Sequence, residues 1–126
     1  LVYNNLVQIF GHFSKNIVLI TGIAKPQPLV GYLKQNGYNI FHHFNFPDHH
    51  NFTASDIENI VSKFNEQKDL MLLTTEKDWM RIKTELSERH LNMAYIPIDI
   101  EIENAPINWL IRNKRITKNK DKNSRL

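Results

Sequence analysis

Cysteine is missing from all 126 residues. Neither a disulfide framework nor a thiolate metal site can be built, and the chain suits a reducing compartment. Long hydrophobic runs are missing too. Runs such as Ile17 to Ile20 are far short of the roughly 20 residues that span a bilayer, and nothing resembles a signal peptide. Excess charge is confined to one end. The last ten residues, TKNKDKNSRL, hold four basic side chains and one acidic, which accounts for the whole net charge of +3. That stretch reads as a solvated, disordered basic tail over 117–126. The neutral body has no basic face with interleaved aromatics, so no nucleic-acid partner is expected. The chain does not start with methionine, and its opening LVYNNLVQIF is strand-like. The expectation is a piece of a longer protein.

What is present is a length sufficient for one domain with a real core. Residues 1–10 alternate weakly and predict one strand or two short ones. Ile17-Val-Leu-Ile-Thr21 is a continuous β-branched run, as in a strand buried on both faces. Pro28 can open a helix whose inward face is Leu29, Val30 and Leu33, and Asn36-Gly37 ends it. Tyr38 to Phe44 predicts a second core strand. Thr53 and Asp56 have capping-box spacing, with Phe52 and Ile57 as a hydrophobic staple. Ile57, Ile60, Val61 and Phe64 then form a helical stripe. Leu70 to Leu73 is a third short strand. Thr75 and Asp78 cap a helix whose inward residues are Trp79, Ile82 and Leu86. Met93 to Ile98 predicts a fourth strand and Pro106 to Arg115 a last helix.

Strands alternating with helices predict a three-layer α/β/α domain with a mainly parallel sheet of about four to five strands. In such a sheet the segments GIAKP, FPDHH and TTEKD, each read as a loop between a strand and a helix, fall on one rim at the carboxyl ends of the strands. Ligands of open α/β sheets bind there.

Each motif has a plain structural account beside the functional one. Capping accounts for Thr75 and Asp78, and the helix dipole for Glu76. Lys77 and Lys25 are simplest as solvent-facing lysines, although Lys25, in a loop beside helix N-termini, could meet phosphate. His42 and His43 point to opposite faces of a strand and lack metal-ligand spacing. His12 and His90 are isolated surface histidines. Asp48-His49-His50 differs, because it ends before the capping box begins and capping does not need it. A carboxylate beside an imidazole can fix its tautomer and raise its basicity, which suits proton transfer near neutral pH. The competing account is a loop network in which Asp48 binds backbone amides.

In order and spacing, GIAKP, FPDHHNFTASDI and LLTTEKDWMR resemble the carboxyl-terminal part of tetraacyldisaccharide 4'-kinase, the lipid A 4'-kinase of Gram-negative bacteria. The resemblance covers about residues 1–116. It implies two α/β/α domains with a cleft between them. It further implies transfer of the γ-phosphate of ATP to the 4'-hydroxyl of a tetraacylated disaccharide 1-phosphate, with Mg2+, in lipid A biosynthesis at the cytoplasmic face of the inner membrane. On this reading residues 1–12 are a β-linker to an amino-terminal kinase lobe and 13–116 are the smaller, carboxyl-terminal lobe, soluble as this fragment. No GxxxxGK[ST] phosphate loop occurs in the chain, so the fragment alone is expected to be inactive. The phosphate loop, magnesium-binding acids, catalytic aspartate and membrane helix of the family belong to the other lobe, which is the implied partner together with the lipid and the membrane surface. The resemblance places a histidine that pairs with the catalytic aspartate at His49, with His50 as the alternative and Asp48 beside them. It matches TTEKD to Thr74 through Asp78, so that Thr75, Glu76, Lys77 and Asp78 are expected to approach the nucleotide or close the cleft, and Lys25 joins them as a candidate for nucleotide phosphate from its place beside helix N-termini.

Two other classes compete. DHH also names manganese-dependent phosphoesterases, but those need further aspartates at strand ends, where this chain has Thr21-Gly22 and Thr74-Thr75. A non-catalytic α/β module that docks a partner at the strand-end crevice is the third reading, weakly supported by the opening edge strand.

Overall fold

The computed structural model describes residues 6–97. The expected helix at 106–115, the basic tail at 117–126 and the first part of the linker strand lie outside the described residues.

The elements follow in the order β1 (Val7–Phe10), β2 (Asn16–Thr21), α1 (Gln27–Gln35), β3 (Asn39–Asn45), α2 (Ala54–Phe64), β4 (Met71–Thr75), α3 (Glu76–Leu86) and β5 (Met93–Ile96), with a 3-10 turn at Ser87–Arg89. They build one five-stranded sheet in the order β1-β5-β4-β2-β3. The four inner-to-edge strands β5, β4, β2 and β3 run parallel, and β1 joins β5 antiparallel.

β2 is the centre of the molecule because its sequence has no polar side. Ile17, Val18, Leu19 and Ile20 are all fully buried. Ile17 and Leu19 pack with Leu29, Tyr32 and Leu33 of α1. Val18 and Ile20 pack with Ile57 and Ile60 of α2 and with Trp79, Ile82 and Leu86 of α3. One helix thus covers one face and two cover the other, which is the expected three-layer architecture. Each fully buried Ile or Leu contributes roughly 1.5–3 kcal/mol, so these two clusters outweigh any polar contact at the surface.

Several local signals act as their chemistry dictates. Pro28 lies in the first turn of α1, and Asn36 caps its end. Gly37 then turns the chain at φ 86°. The capping box of α2 is complete. Thr53 Oγ1 accepts from the Asp56 amide at 3.0 Å, and Asp56 Oδ2 accepts from the Thr53 amide at 2.9 Å.

Two boundaries differ from expectation. The third core strand does not stop at Leu73 but runs through Thr75, and α3 starts at the next residue, so TTEKD is not a loop. β-branched threonines suit a strand, and Thr75 at φ −86°, ψ 160° ends β4 while capping α3. β5 stops at Ile96, before Pro97, which has no amide hydrogen to donate.

The chain goes from β2 by α1 to β3 on one side, then returns past β2 to β4 by α2 on the opposite face. The winding reverses between β2 and β4, and their carboxyl ends flank a topological switch point. Among the described residues no helix is long and apolar enough to cross a membrane.

Thr53→Ala is expected to cost about 1 kcal/mol of unfolding free energy, with Thr53→Ser near wild type, in urea titrations of the chain. An alanine variant as stable as the parent would show that the box does not hold α2.

Candidate functional site

The three segments singled out in the sequence do meet on one rim. The Phe46 amide donates to the Thr21 carbonyl at 2.7 Å, which seats the start of the DHH segment beside the end of β2. The Gly22 amide donates to Asp78 Oδ2 at 2.8 Å, joining the first segment to α3. Lys77 Nζ donates to Asp48 Oδ1 at 3.1 Å, joining α3 to the second.

Asp78 lies at the switch point itself and is fully buried. Its Oδ2 also accepts from Thr75 Oγ1 at 2.9 Å, while its amide donates back to that hydroxyl at 3.1 Å. Its Oδ1 has no hydrogen-bond donor among the described residues but pairs with Arg81 Nη1 at 3.6 Å. Glycine suits this approach, since a Cβ at position 22 would sit a tight 3.0 Å from Asp78 Oδ1. Thr75 and Asp78 therefore face inward, and the crevice between β2 and β4 is closed at its base by their contacts.

The DHH segment turns back on itself, with the His50 amide donating to the Pro47 carbonyl at 3.1 Å. The two imidazoles end in opposite situations. His50 Nε2 donates to Asp56 Oδ2 at 2.8 Å, and its ring stacks on Phe46 with centroids 4.4 Å apart. His49 has a left-handed backbone, φ 63°, which throws its ring outward, and its side chain is 76% exposed. Its Nε2 lies 3.4 Å from Asp48 Oδ2. Its Nδ1 lies 3.4 Å from Arg81 Nη2, at the long end for a hydrogen bond. Arg81 Nη1 donates to the His50 carbonyl at 3.2 Å.

Electrostatics follow these contacts. The hydrogen bond from Lys77 holds the Asp48 carboxyl below the ordinary 3.8, against a smaller opposing effect of burial. The Thr53 amide, and after it the bond from His50, lowers Asp56 in the same direction. As a surface pair, Asp48–Lys77 contributes little to stability and instead sets the shape of the rim.

Of the other expected residues, Lys25 and Glu76 are exposed, and neither has a hydrogen bond or ion pair among the described residues. His43 does not join the DHH segment. It donates from Nε2 to Thr21 Oγ1 at 2.8 Å, and that hydroxyl donates to Asn45 Oδ1 at 3.2 Å. It borders a groove of about 390 Å³ between α1 and β3 that shares no residue with the DHH cluster. His42 faces the other way, against Phe44. Arg81 had no place in the sequence reading. Its signal was available, for a residue three beyond Asp78 on a helix lies on the same side.

The chain is thus an α/β domain wound on both sides of its sheet, with an acid–imidazole segment and the cationic side chains of Lys25, Lys77 and Arg81 at its carboxyl rim. The chain belongs to the tetraacyldisaccharide-1-P 4'-kinase family, whose model matches residues 6–115. It is similar to the tetraacyldisaccharide 4'-kinase of Cytophaga hutchinsonii, at 38% identity over 91 residues, which make up 71% of this chain and 26% of that protein. It is similar to that of Flavobacterium johnsoniae at 40% over 85 residues, 68% of this chain and 23% of that protein. The Aliarcobacter butzleri protein of the same name is 37% identical over 97 residues, 76% of this chain and 29% of that protein. The chain spans about a quarter of the length of these curated relatives. No solved structure matches it.

Burial, and after it the neighbouring His42, holds His43 below the ordinary 6.5. The unfolded chain then takes up a proton before the folded one does. The resulting stability is complete above 6.5 and is lost as pH falls from there through the lowered value. The urea midpoint should therefore drop as pH falls below about 7 in the parent and drop less in His43→Gln. Asp48 and Asp56, lowered from 3.8, add their own loss only at more acidic pH. Identical pH profiles for parent and His43→Gln would contradict the assignment.

Proposed function

We propose that this chain is the smaller lobe of a kinase that moves the γ-phosphate of ATP to the 4'-hydroxyl of a tetraacyldisaccharide 1-phosphate, a step of lipid A biosynthesis at the cytoplasmic face of the inner membrane. Its contribution is His49. The observation that carries this reading is the division of labour in the DHH segment. His50 is tied to Asp56 and stacked on Phe46, whereas His49 stands outward on the rim. Family membership supplies the chemistry that such a histidine would serve.

Phosphoryl transfer needs positioning, charge compensation and removal of the attacking hydroxyl's proton. A guanidinium cannot accept a hydrogen bond, so the contact from Arg81 leaves His49 Nδ1 as acceptor and the proton on Nε2. That N–H is the group available to the catalytic aspartate of the other lobe. It would orient the aspartate and poise it as the base. Because the two groups meet only across a cleft, closure of the lobes would assemble the pair and keep water from the reaction.

Lys25 and Lys77 have the charge to meet nucleotide phosphates from this side. Lys77 is held in reserve by Asp48. Glu76 has the wrong sign for a phosphate and suits the N-terminus of α3. Thr75 and Asp78, being buried, would act through the shape of the rim. Mg2+ finds no fit here. Among the described residues no group of three or more His, Asp or Glu could hold a metal ion, and no phosphate-loop motif occurs in the sequence. Both would come from the other lobe. The same donor set speaks against a manganese phosphoesterase.

In the intact enzyme, His49→Ala is expected to lower kcat by roughly 10²–10⁴-fold, with His50→Ala acting mainly on stability. Unchanged turnover after replacing both histidines would end the proposal. Lipid-kinase assays of the 126-residue chain by itself should show no product. Turnover above background would assign the phosphate site to this chain.

A further inference from the structure

Among the described residues, Arg81 contacts His49, His50 and Asp78 together. Its Nη1 donates to the His50 carbonyl at 3.2 Å, its Nη2 approaches His49 Nδ1 at 3.4 Å, and the guanidinium pairs with Asp78 Oδ1 at 3.6 Å. It is only partly exposed, at 26%. Asp78, its anchor, is fully buried and already bound through Oδ2 to the Gly22 amide and the Thr75 hydroxyl. Oδ1 has Arg81 as its charged neighbour and no hydrogen-bond donor among the described residues.

We propose that Arg81 is the positioning residue of the DHH segment, fixing the direction and tautomer of His49 from an anchor on Asp78. The inference rests on the kinase reading of His49 and adds a residue that acts through it.

Three physical points carry it. A guanidinium is a rigid planar fork whose two terminal nitrogens reach the backbone carbonyl of one residue and the ring nitrogen of its neighbour in a fixed geometry, which the single rotating nitrogen of an ammonium does not impose. His49 has a left-handed backbone and only long side-chain contacts, so its ring is otherwise free to swing. The remaining charged groups facing this pair are Asp48 and Lys77, which satisfy each other at 3.1 Å. Asp48 Oδ2 stands 3.4 Å away on the Nε2 side of the ring, so the carboxylate facing Nε2 and the donor facing Nδ1 favour one and the same tautomer. Contacts of 3.4 Å in a free lobe are of the kind that shorten when a site closes.

The test has two arms. In long-range ¹H–¹⁵N spectra of the chain, at a pH where the ring is neutral, His49 should show one tautomer with the proton on Nε2. Arg81→Ala should show exchange between both, and Arg81→Lys should lie between. In the intact kinase, Arg81→Ala should lower kcat on the order of 10- to 100-fold, with KM for ATP changed by less than about 2-fold. Added to His49→Ala, it should cause little further loss. A purely structural Arg81 would multiply the two losses, and that result would overturn the proposal, as would an Arg81→Ala spectrum with His49 unchanged. Should Arg81→Ala fail to fold, Arg81→Gln and Arg81→Lys give the same two readouts. If the parent enzyme shows no kinase turnover, the kinase reading fails on its own, and the ring-nitrogen spectra still decide whether Arg81 orients His49.

Discussion

The buried carboxyl group of Asp78 is the constraint on which the rim depends. A carboxyl group taken out of water must be met by donors, and this one is met from two chain segments at once. The Gly22 amide comes from the end of β2, and the Thr75 hydroxyl from the end of β4. The contact spans the point where the winding of the sheet reverses, where an open α/β fold would otherwise leave a crevice down to the strand ends. A bonded carboxyl fills its base. It also makes position 22 tight, where a Cβ would sit 3.0 Å from the carboxyl oxygen and Asp78 would have to shift slightly to admit it. The remaining oxygen, Oδ1, holds Arg81, and Arg81 holds the backbone of the next segment. One buried group therefore sets the relative positions of three segments far apart in sequence.

The same network explains why two adjacent histidines differ in kind. His50 is absorbed by the helix that follows, since Asp56 accepts from its ring and from the Thr53 amide with the same oxygen. Its stacking on Phe46 completes a small aromatic wall with Phe52. His49, one residue earlier, takes a left-handed backbone conformation that few side chains adopt without cause. The effect is to turn its imidazole away from that wall and toward Asp48 and Arg81. The exposed ring is thus backed by a charged pair and a guanidinium.

Where the sequence was readable, the interaction was local. Thr53 and Asp56 are three residues apart and bond to each other, so their box could be seen in the string of letters. Pro28 and Gly37 bracket α1 for reasons internal to one or two residues. The unbroken apolar run of β2 announced burial on both faces. The failures were at places where two roles share a residue. Thr74 and Thr75 look like a polar loop, yet Thr74 is fully buried with its hydroxyl bonded to the Ile20 carbonyl at 2.8 Å, and Thr75 is at once the last residue of a strand and the cap of a helix. Strand order was unreadable because pairing of β2 with β4 joins segments some fifty residues apart, and no local preference encodes a partner.

By itself the sequence determined the class of fold, the helix caps, the burial of β2 and the gathering of three segments on one rim. These follow from short-range periodicity, capping chemistry and the single direction of parallel strands. Only the tertiary structure decided that His49 rather than His50 faces outward, that Asp78 is buried, and that Arg81 joins the segments. Those outcomes depend on distances between residues such as Gly22, His49 and Asp78, which the chain brings together only after its sheet has been ordered.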